Sequence, residues 1–268
     1  MPLPETEQAE AVIVRSPLLR HVPHGVGTRN GGVSSPPYAT LNVGHSTQDS
    51  RGSVQENRRR LFSACGLPER VLTARLTHGR DISVFRKLHA DDRAGSPFAD
   101  SSFHSDGVIS NVPGLAFFMT FADCVPLLFW DPARRVVGMA HAGWRGTSLR
   151  IAEAMMREMG FEFGCEPSDI LVSVGPSIGP CCYDVGCEVL ADFAKNGSDA
   201  VTTPADDRWL LDLWETNRRQ LLAAGVREQN IELMHVCTSC HVADYFSHRA
   251  EHGLTGRFGA CIGLEPNS

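Results

Sequence analysis

Cys124 and His141 flank an apolar run that turns back on itself, and side chains of these types could share a metal ion or exchange a proton. Val125 to Trp130 and Val136 to Ala140 read as two strands about the turn-like Asp131-Pro132-Ala133-Arg134-Arg135. Folding that hairpin at its middle places Cys124 roughly opposite His141, and Cβ atoms opposed on one face of an antiparallel pair lie about 5 Å apart. His78, in Thr77-His78-Gly79 at the end of a strand predicted over Val71 to Leu76, reads alone as a hydrogen-bonded structural histidine and, with Cys124 and His141, as a third ligand. Three protein ligands leave one position of a zinc ion open, as catalytic zinc sites do, and water held there has its pKa lowered to about 7. The same atoms suit a second chemistry, with Cys124 as nucleophile, His141 as its base and Asp123 or His78 as the orienting group. As plain core residues, Cys124 would be a buried thiol and His141 a satisfied histidine. Spacing alone does not separate the three.

Other residues widen the choice. Cys237-Thr238-Ser239-Cys240-His241 with Cys181 or Cys182 is a competing metal site of the closed, structural kind. A single CxxC is a weak signal, and adjacent cysteines are poor geometry for two ligands on one ion. Cys65, Cys165 and Cys261 read as small core residues. Arg29, Asn30, Tyr38 and Asn42 lie in the glycine-, serine- and proline-rich stretch His24 to Gly44, a loop long enough to be functional. Arg145 lies in Ala142-Gly143-Trp144-Arg145-Gly146, just ahead of a predicted helix start, which is a natural place for an anion. The chain has no GxxxxGK[ST], GxGxxG or HExxH motif, so neither ATP nor a nicotinamide cofactor is indicated.

Bulk properties exclude whole classes. A net charge of −6 over 268 residues offers no footprint for nucleic acid, so an anionic small molecule needs a local arginine patch. The longest apolar run, Leu115 to Trp130, is broken by Asp123 and Pro126 and is too short and polar to span a bilayer. Nine cysteines without an export signal at the N-terminus point to free thiols in the cytoplasm.

The elements that must position these side chains are mixed in order. Helices are predicted over Arg51 to Cys65, from a Thr147 or Ser148 cap to Gly160, over Val185 to Ala194 and over Trp209 to Ala224. Strands are predicted over Asp106 to Asn111, Leu115 to Ala122, Ile170 to Val174 and Ile231 to Val236. Residues 89–105, 142–146 and 197–207 read as irregular. Hairpins among helices, with no repeat, give an α+β, mixed-sheet fold in one domain over 17–268, preceded by a mobile segment over 1–16.

Taken together, the motifs TRNGGVS (Thr28 to Ser34), LNVG (Leu41 to Gly44), ENR (Glu56 to Arg58), THG (Thr77 to Gly79), ADCVPLLFWDP, AHAGWRGT, GPSIGPCCYDV, YFSHR and TGRFGA span nearly the whole chain. The chain resembles the YfiH/YlmD family, whose members are described as multicopper polyphenol oxidases (laccases), purine nucleoside phosphorylases and peptidoglycan editing factors. The resemblance implies a mixed α/β sandwich similar to a bacterial deamidase toxin, with His78, Cys124 and His141 as zinc ligands and centre of the active site. It implies phosphorolysis of adenosine, inosine, guanosine and 5′-methylthioadenosine, with phosphate as co-substrate, and deamination of adenosine. Many relatives carry a glutamine where this chain has Leu76.

Phosphorolysis needs an anion site and support for a positive ribose, and Arg29 and Arg145 are the bidentate candidates for phosphate. Asn42 and His248 are candidates for substrate contact, and Tyr38, Trp144, Tyr245 and Phe246 for stacking the purine. Deamination needs activated water at C6 and an acid for the departing amine. Amide hydrolysis on a muropeptide precursor would use the same Cys124 and metal. Copper oxidase chemistry is less favoured, because it needs several histidine-rich centres.

Overall fold

The computed structural model describes residues 10–87 and 102–266. In chain order the first half holds β1 (Ile13–Val14), β2 (His24–Gly27), α1 (Arg51–Cys65), β3 (Arg70–Arg75), β4 (Ile82–Phe85), β5 (Phe103–His104) and β6 (Gly107–Ser110). The central segment holds β7 (Leu115–Phe121), β8 (Val125–Asp131), β9 (Val136–Ala142), α2 (Trp144–Ser148), α3 (Ile151–Phe163) and β10 (Leu171–Val174). The last part holds β11 (Asp184–Val185), α4 (Cys187–Lys195), β12 (Thr202–Ala205), β13 (Arg208–Leu211), α5 (Leu213–Ala223), β14 (Ile231–Leu233) and β15 (Phe258–Gly263).

Two six-stranded mixed sheets, ordered β1-β2-β15-β7-β3-β5 and β14-β10-β8-β9-β6-β4, form the centre. Alternation along the strands assigns each face. Phe117, Met119 and Phe121 of β7 meet Leu128 and Trp130 of β8 and Val137 and Met139 of β9 in a core between the sheets. The opposite face of the first sheet packs Ala116, Phe118 and Cys261 against Leu61, Phe62 and Cys65 of α1. The opposite face of the second packs Leu127, Phe129, Val136 and Ala140 against Ile151, Met155 and Met159 of α3 and Leu221 of α5. The result is a helix, sheet, sheet, helix sandwich, the expected mixed α/β architecture. Strands covered on both faces read as unbroken apolar runs, which is why β7 and β8 look alike in sequence. No helix among the described residues is long and apolar enough to cross a membrane.

What matters for the site is how the chain changes sheets. It passes from the first to the second sheet at residues 76–81 between β3 and β4, at Ser105-Asp106 between β5 and β6, and at Ala122-Asp123-Cys124 between β7 and β8. The first crossing carries His78, the second Asp106 and the third Cys124.

Several local expectations are corrected. Residues 142–146 are not wholly irregular: α2 begins at Trp144, and Arg150, in the left-handed region at φ 63°, separates it from α3 without a side-chain cap. α3 continues through Gly160 to Phe163 and ends at Gly164, also left-handed at φ 66°. A helical glycine costs only about 1 kcal/mol, which the packed methionine face outweighs. The helix expected from Trp209 begins at Leu213, because Trp209 lies in β13, paired with Val185 and Pro204. Asp212 is its cap and accepts a hydrogen bond from the Glu215 N–H; this Asp-x-x-Glu signal is stronger than the apolar period that suggested an earlier start. The expected connection 197–207 contains β12. The last predicted strand stops at Leu233, and His235 has φ 52°. Ile13 and Val14 pair with Gly27 and Val26, so ordered strand begins inside the stretch expected to be mobile, whose residues 1–9 lie outside the described residues. Of the polar stretch 89–105, residues 89–101 also lie outside them, and Phe103–His104 is β5.

Candidate metal centre and substrate cavity

Asp106, fully buried, organises the crossings. Its Oδ2 accepts the backbone N–H of Thr77 at 3.0 Å and of Gly79 at 2.8 Å and the Thr77 hydroxyl, while Oδ1 accepts the backbone N–H of His78 at 3.0 Å. The turn so gathered holds His78 at φ 57°, which a β-carbon disfavours and this cradle imposes. Oδ1 also lies 3.0 Å from Nδ1 of His141, and the His141 backbone N–H donates to the Asp106 carbonyl at 2.7 Å. With Nδ1 engaged by a carboxylate, Nε2 is the nitrogen left to ligate, the arrangement that fixes a metal-binding histidine's tautomer and ring.

The β8–β9 register pairs Pro126 with His141 and Val125 with Ala142, so Cys124 lies two residues off direct opposition to His141, diagonal on the same face. Continuing that register puts Gly143 across from Cys124, where a Cβ would stand 2.8 Å from the sulfur. Glycine at 143 is therefore what leaves the thiol room. The ligand atoms of His78, Cys124 and His141 all lie within 4.8 Å of one another. The His78 and His141 rings meet edge to face, centroids 5.0 Å apart.

Asp123 is not the orienting partner considered for His141. Its carboxylate accepts the Thr238 hydroxyl at 2.7 Å and the Arg249 backbone N–H at 2.7 Å, and at φ 89° it turns the chain from β7 into β8. Asp106 has the orienting position. Nothing in the sequence marked it beyond an acid at the head of an apolar strand.

Burial lowers the His141 pKa, but attraction to the Cys124 sulfur and hydrogen bonds with Asp106 and Cys124 outweigh it and hold the group at about 9. Burial pushes Asp106 up, and hydrogen bonds from His141, Thr77 and Gly79 reverse this and hold it well below the usual carboxylate range. His78 is lowered by burial and by the nearby His141 and Arg145 charges, against Asp106. The sign of each linkage is fixed. A raised His141 contributes stability in full below its ordinary 6.5 and loses it as pH rises through about 9. A depressed Asp106 contributes in full above its ordinary value and loses it as pH falls below that. In chelator-treated protein the urea midpoint is therefore expected to fall between pH 6.5 and 9, and Asp106→Asn should flatten that fall. A wild-type midpoint unchanged across this window would show that the pair does not carry charge.

The cluster opens on a cavity of about 500 Å³. Its walls carry Arg58, Arg75 and Arg257, with His45, His78, His141 and His248, so it favours an anion. Arg257 is held by NH1 donating to the carbonyls of Thr255 at 3.1 Å and Gly256 at 2.8 Å. His248 and Leu76 line the same cavity.

The other expected contacts are distributed differently. Arg29 is not among the lining residues: its guanidinium donates to the carbonyls of Ala39 at 3.0 Å and Val242 at 2.6 Å, pairs with Glu251 at 3.2 Å and lies over the Phe246 ring. Asn42 is fully buried, and its Oδ1 accepts the Arg257 backbone N–H at 2.8 Å, so it positions a cavity arginine from behind. Arg145 is exposed and stacks on Trp144 at 4.3 Å, near enough for its charge to lower the His78 pKa. Tyr245 and Phe246 are buried in the core between the sheets. Arg257 was quoted in TGRFGA without a role, and Arg75 ends an ordinary strand. A substrate arginine and a structural one look alike in sequence.

Residues 23–265 match the family described as multi-copper polyphenol oxidoreductase laccase. The chain is 41% identical over 246 residues to the purine nucleoside phosphorylase YlmD of Geobacillus stearothermophilus, covering 89% of each. It is 36% identical over 239 residues to the purine nucleoside phosphorylase YfiH of Escherichia coli, covering 88% of this chain and 91% of that one. The crystal structure of YlmD from Geobacillus stearothermophilus superposes with a TM-score of 0.87 at 38% identity, over 97% of this chain and 98% of that chain. The structure of the Bacillus licheniformis protein YfiH gives 0.87 at 34% identity with the same coverage.

Proposed function

The chain belongs to the multi-copper polyphenol oxidoreductase laccase family, in which YfiH and YlmD relatives bear the name purine nucleoside phosphorylase, and from that premise we propose that it is a zinc-dependent purine nucleoside phosphorylase. The observation that carries this is one cavity whose wall joins a two-histidine, one-cysteine cluster to three arginines. The substrates proposed are adenosine, inosine, guanosine and 5′-methylthioadenosine, with deamination of adenosine as a second activity of the same site.

The donor set fits zinc: a thiol and two imidazoles converge, one imidazole is fixed by a buried carboxylate, and the glycine at 143 leaves space at the sulfur. Bound there, zinc would supply a Lewis acid with an open position. His78, Cys124 and His141 would hold it. Arg257 and Arg75 would bind phosphate and present an oxygen to C1′ of the ribose, with Arg145, which is not among the lining residues, adding positive charge near His78. Arg58, buried with Nε donating to the Val43 carbonyl at 2.9 Å, would add fixed charge from below. His248 would meet the ribose or base. A volume of about 500 Å³ is within the range of small-molecule sites.

Oxidation of polyphenols by several coppers needs histidine-rich centres. Among the described residues the ligand clusters are the His78, Cys124, His141 set and a set of four cysteines.

Incubation with adenosine and phosphate, with products separated, tests the proposal. Adenine with ribose 1-phosphate is the expected outcome, inosine marks deamination, and neither product would point to amide hydrolysis on a muropeptide precursor. Arg257→Ala is expected to raise the KM for phosphate about 10- to 150-fold, the worth of a charge-assisted hydrogen bond of about 1.5–3 kcal/mol, with metal content unchanged. Arg145→Ala should give a smaller rise. An unaltered phosphate KM in Arg257→Ala would remove that residue from the anion site.

A further inference from the structure

Cys181 and Cys182 follow β10, and Cys237 and Cys240 follow β14, in segments joined by a bridge between Ser177 and Cys237. The Ser177 N–H donates to the Val236 carbonyl at 3.1 Å and the Thr238 N–H to the Ser177 carbonyl at 3.0 Å, which sets the two segments side by side. Gly179 permits the close approach, since a Cβ there would stand 2.6 Å from the Trp214 ring and 3.2 Å from the Cys237 Cβ. The four sulfurs lie within 4.8 Å of one another, with Cys181 to Cys240 at 3.5 Å and Cys182 to Cys240 at 3.4 Å. Those separations are far from a sulfur–sulfur bond of about 2.05 Å. They are close to the edge of a zinc tetrathiolate, about 3.8 Å when each Zn–S bond is about 2.3 Å.

Adjacent cysteines look ill placed for one ion in sequence. Here the turn closed by the Cys182 N–H on the Gly179 carbonyl, at 3.0 Å, brings both sulfurs within reach of Cys240. The backbone N–H of Gly179 donates to the Cys237 sulfur at 3.2 Å, the kind of hydrogen bond that stabilises a ligating thiolate. Cys237 is buried while Cys181 and Cys240 are exposed, so an ion has an entry path. Arg249, which pairs with Asp184, also donates to the Cys182 carbonyl at 3.3 Å and so ties the cysteine turn to its own segment. His241, the other ligand considered in this region, has its Nδ1 2.9 Å from the Cys237 carbonyl oxygen.

We infer that Cys181, Cys182, Cys237 and Cys240 form a second, closed zinc site that is structural and separate from the His78, Cys124, His141 cluster. Four thiols bind one Zn²⁺ and release four protons, leaving a tetrathiolate of net charge −2 with no position for substrate. Its role is mechanical. Thr238, inside the CxxC loop, donates to Asp123, whose carboxylate also takes the Arg249 N–H beside His248. The tetrathiolate thus pins the segment that holds the residue before Cys124 and the one that brings His248 to the cavity.

The test is zinc content of full-length protein prepared under reducing conditions and refilled with zinc alone. Wild type should hold one equivalent more than Cys181→Ser/Cys240→Ser, whatever the other cluster holds, and Cys187→Ser, an exposed thiol outside the set, should match wild type. In case the double variant fails to fold, cobalt substitution of Cys124→Ala should show the intense thiolate-to-metal absorption of a four-sulfur tetrahedral site. Equal zinc in wild type and a folded double variant would overturn the inference. So would a cobalt spectrum without thiolate bands, or a disulfide within the four in metal-loaded protein.

Discussion

Cys124→Ala is expected to empty the His78, Cys124, His141 cluster and to lower purine nucleoside phosphorolysis on the order of 10³-fold or more, the rate equivalent of losing several kcal/mol of Lewis-acid stabilisation. The thiol is only partly buried and packs at the edge of the core between the sheets, so its loss should leave the fold intact. The remaining imidazoles differ in freedom: His141 is fixed by Asp106 whether or not metal is bound, whereas His78 is only partly shielded from solvent. Two such ligands cannot hold zinc tightly without the thiolate. Elemental analysis alongside the adenosine and phosphate assay checks both halves. Full metal retention at this cluster with activity lost would make Cys124 a nucleophile and reject it as ligand.

The second large effect is expected at Asp106. Replacing it with alanine removes the acceptor for three backbone N–H groups, the Thr77 hydroxyl and the His141 ring in one step. Each buried donor left unsatisfied costs about 1–3 kcal/mol, with partial relief from water entering the opened crossing. A net destabilisation of about 3–5 kcal/mol follows, together with a loss of metal affinity of about 10- to 100-fold from the misaligned histidines. Urea unfolding and zinc competition measure the two separately. A stability change under about 1 kcal/mol with affinity intact would show that the Thr77–Gly79 turn holds itself, against the usual cost of lost buried acceptors.

The three candidate ligands were legible because two lie in one hairpin and the third in a strand-end motif with a glycine, and cysteine with histidine at such places suggests few chemistries. Their support was not. Asp106 acts through the positions of groups nearly thirty residues away, and an acid at the start of a strand has no local signature for that role. The arginines show the same limit in reverse. Arg29 sits in a conspicuous glycine-rich motif and is occupied by carbonyls and Glu251, while Arg75 and Arg257 line the cavity from strand ends to which the sequence reading gave no role. Local structure followed the same division. α1 was read to the residue because its period and its Gly66 stop agree, and β12 and β13 were missed because short exposed strands have neither a run nor a period. The convergence of the paired cysteines was not legible, because adjacency in sequence says little about where a turn sends two side chains.

The crossings between the sheets bear on how the protein matures. His78, Asp106 and Cys124 each sit where the chain leaves one sheet for the other, and His141 belongs to the second sheet. On the proposed function, a nascent chain with either sheet undocked has the candidate ligands but not their convergence, so metal acquisition would be postponed until the sandwich has closed. An ion held there would resist separation of the layers, because parting them would mean breaking coordination and apolar contact together. Starvation for metal would then appear in a cell as a shorter lifetime of the protein as well as a slower enzyme.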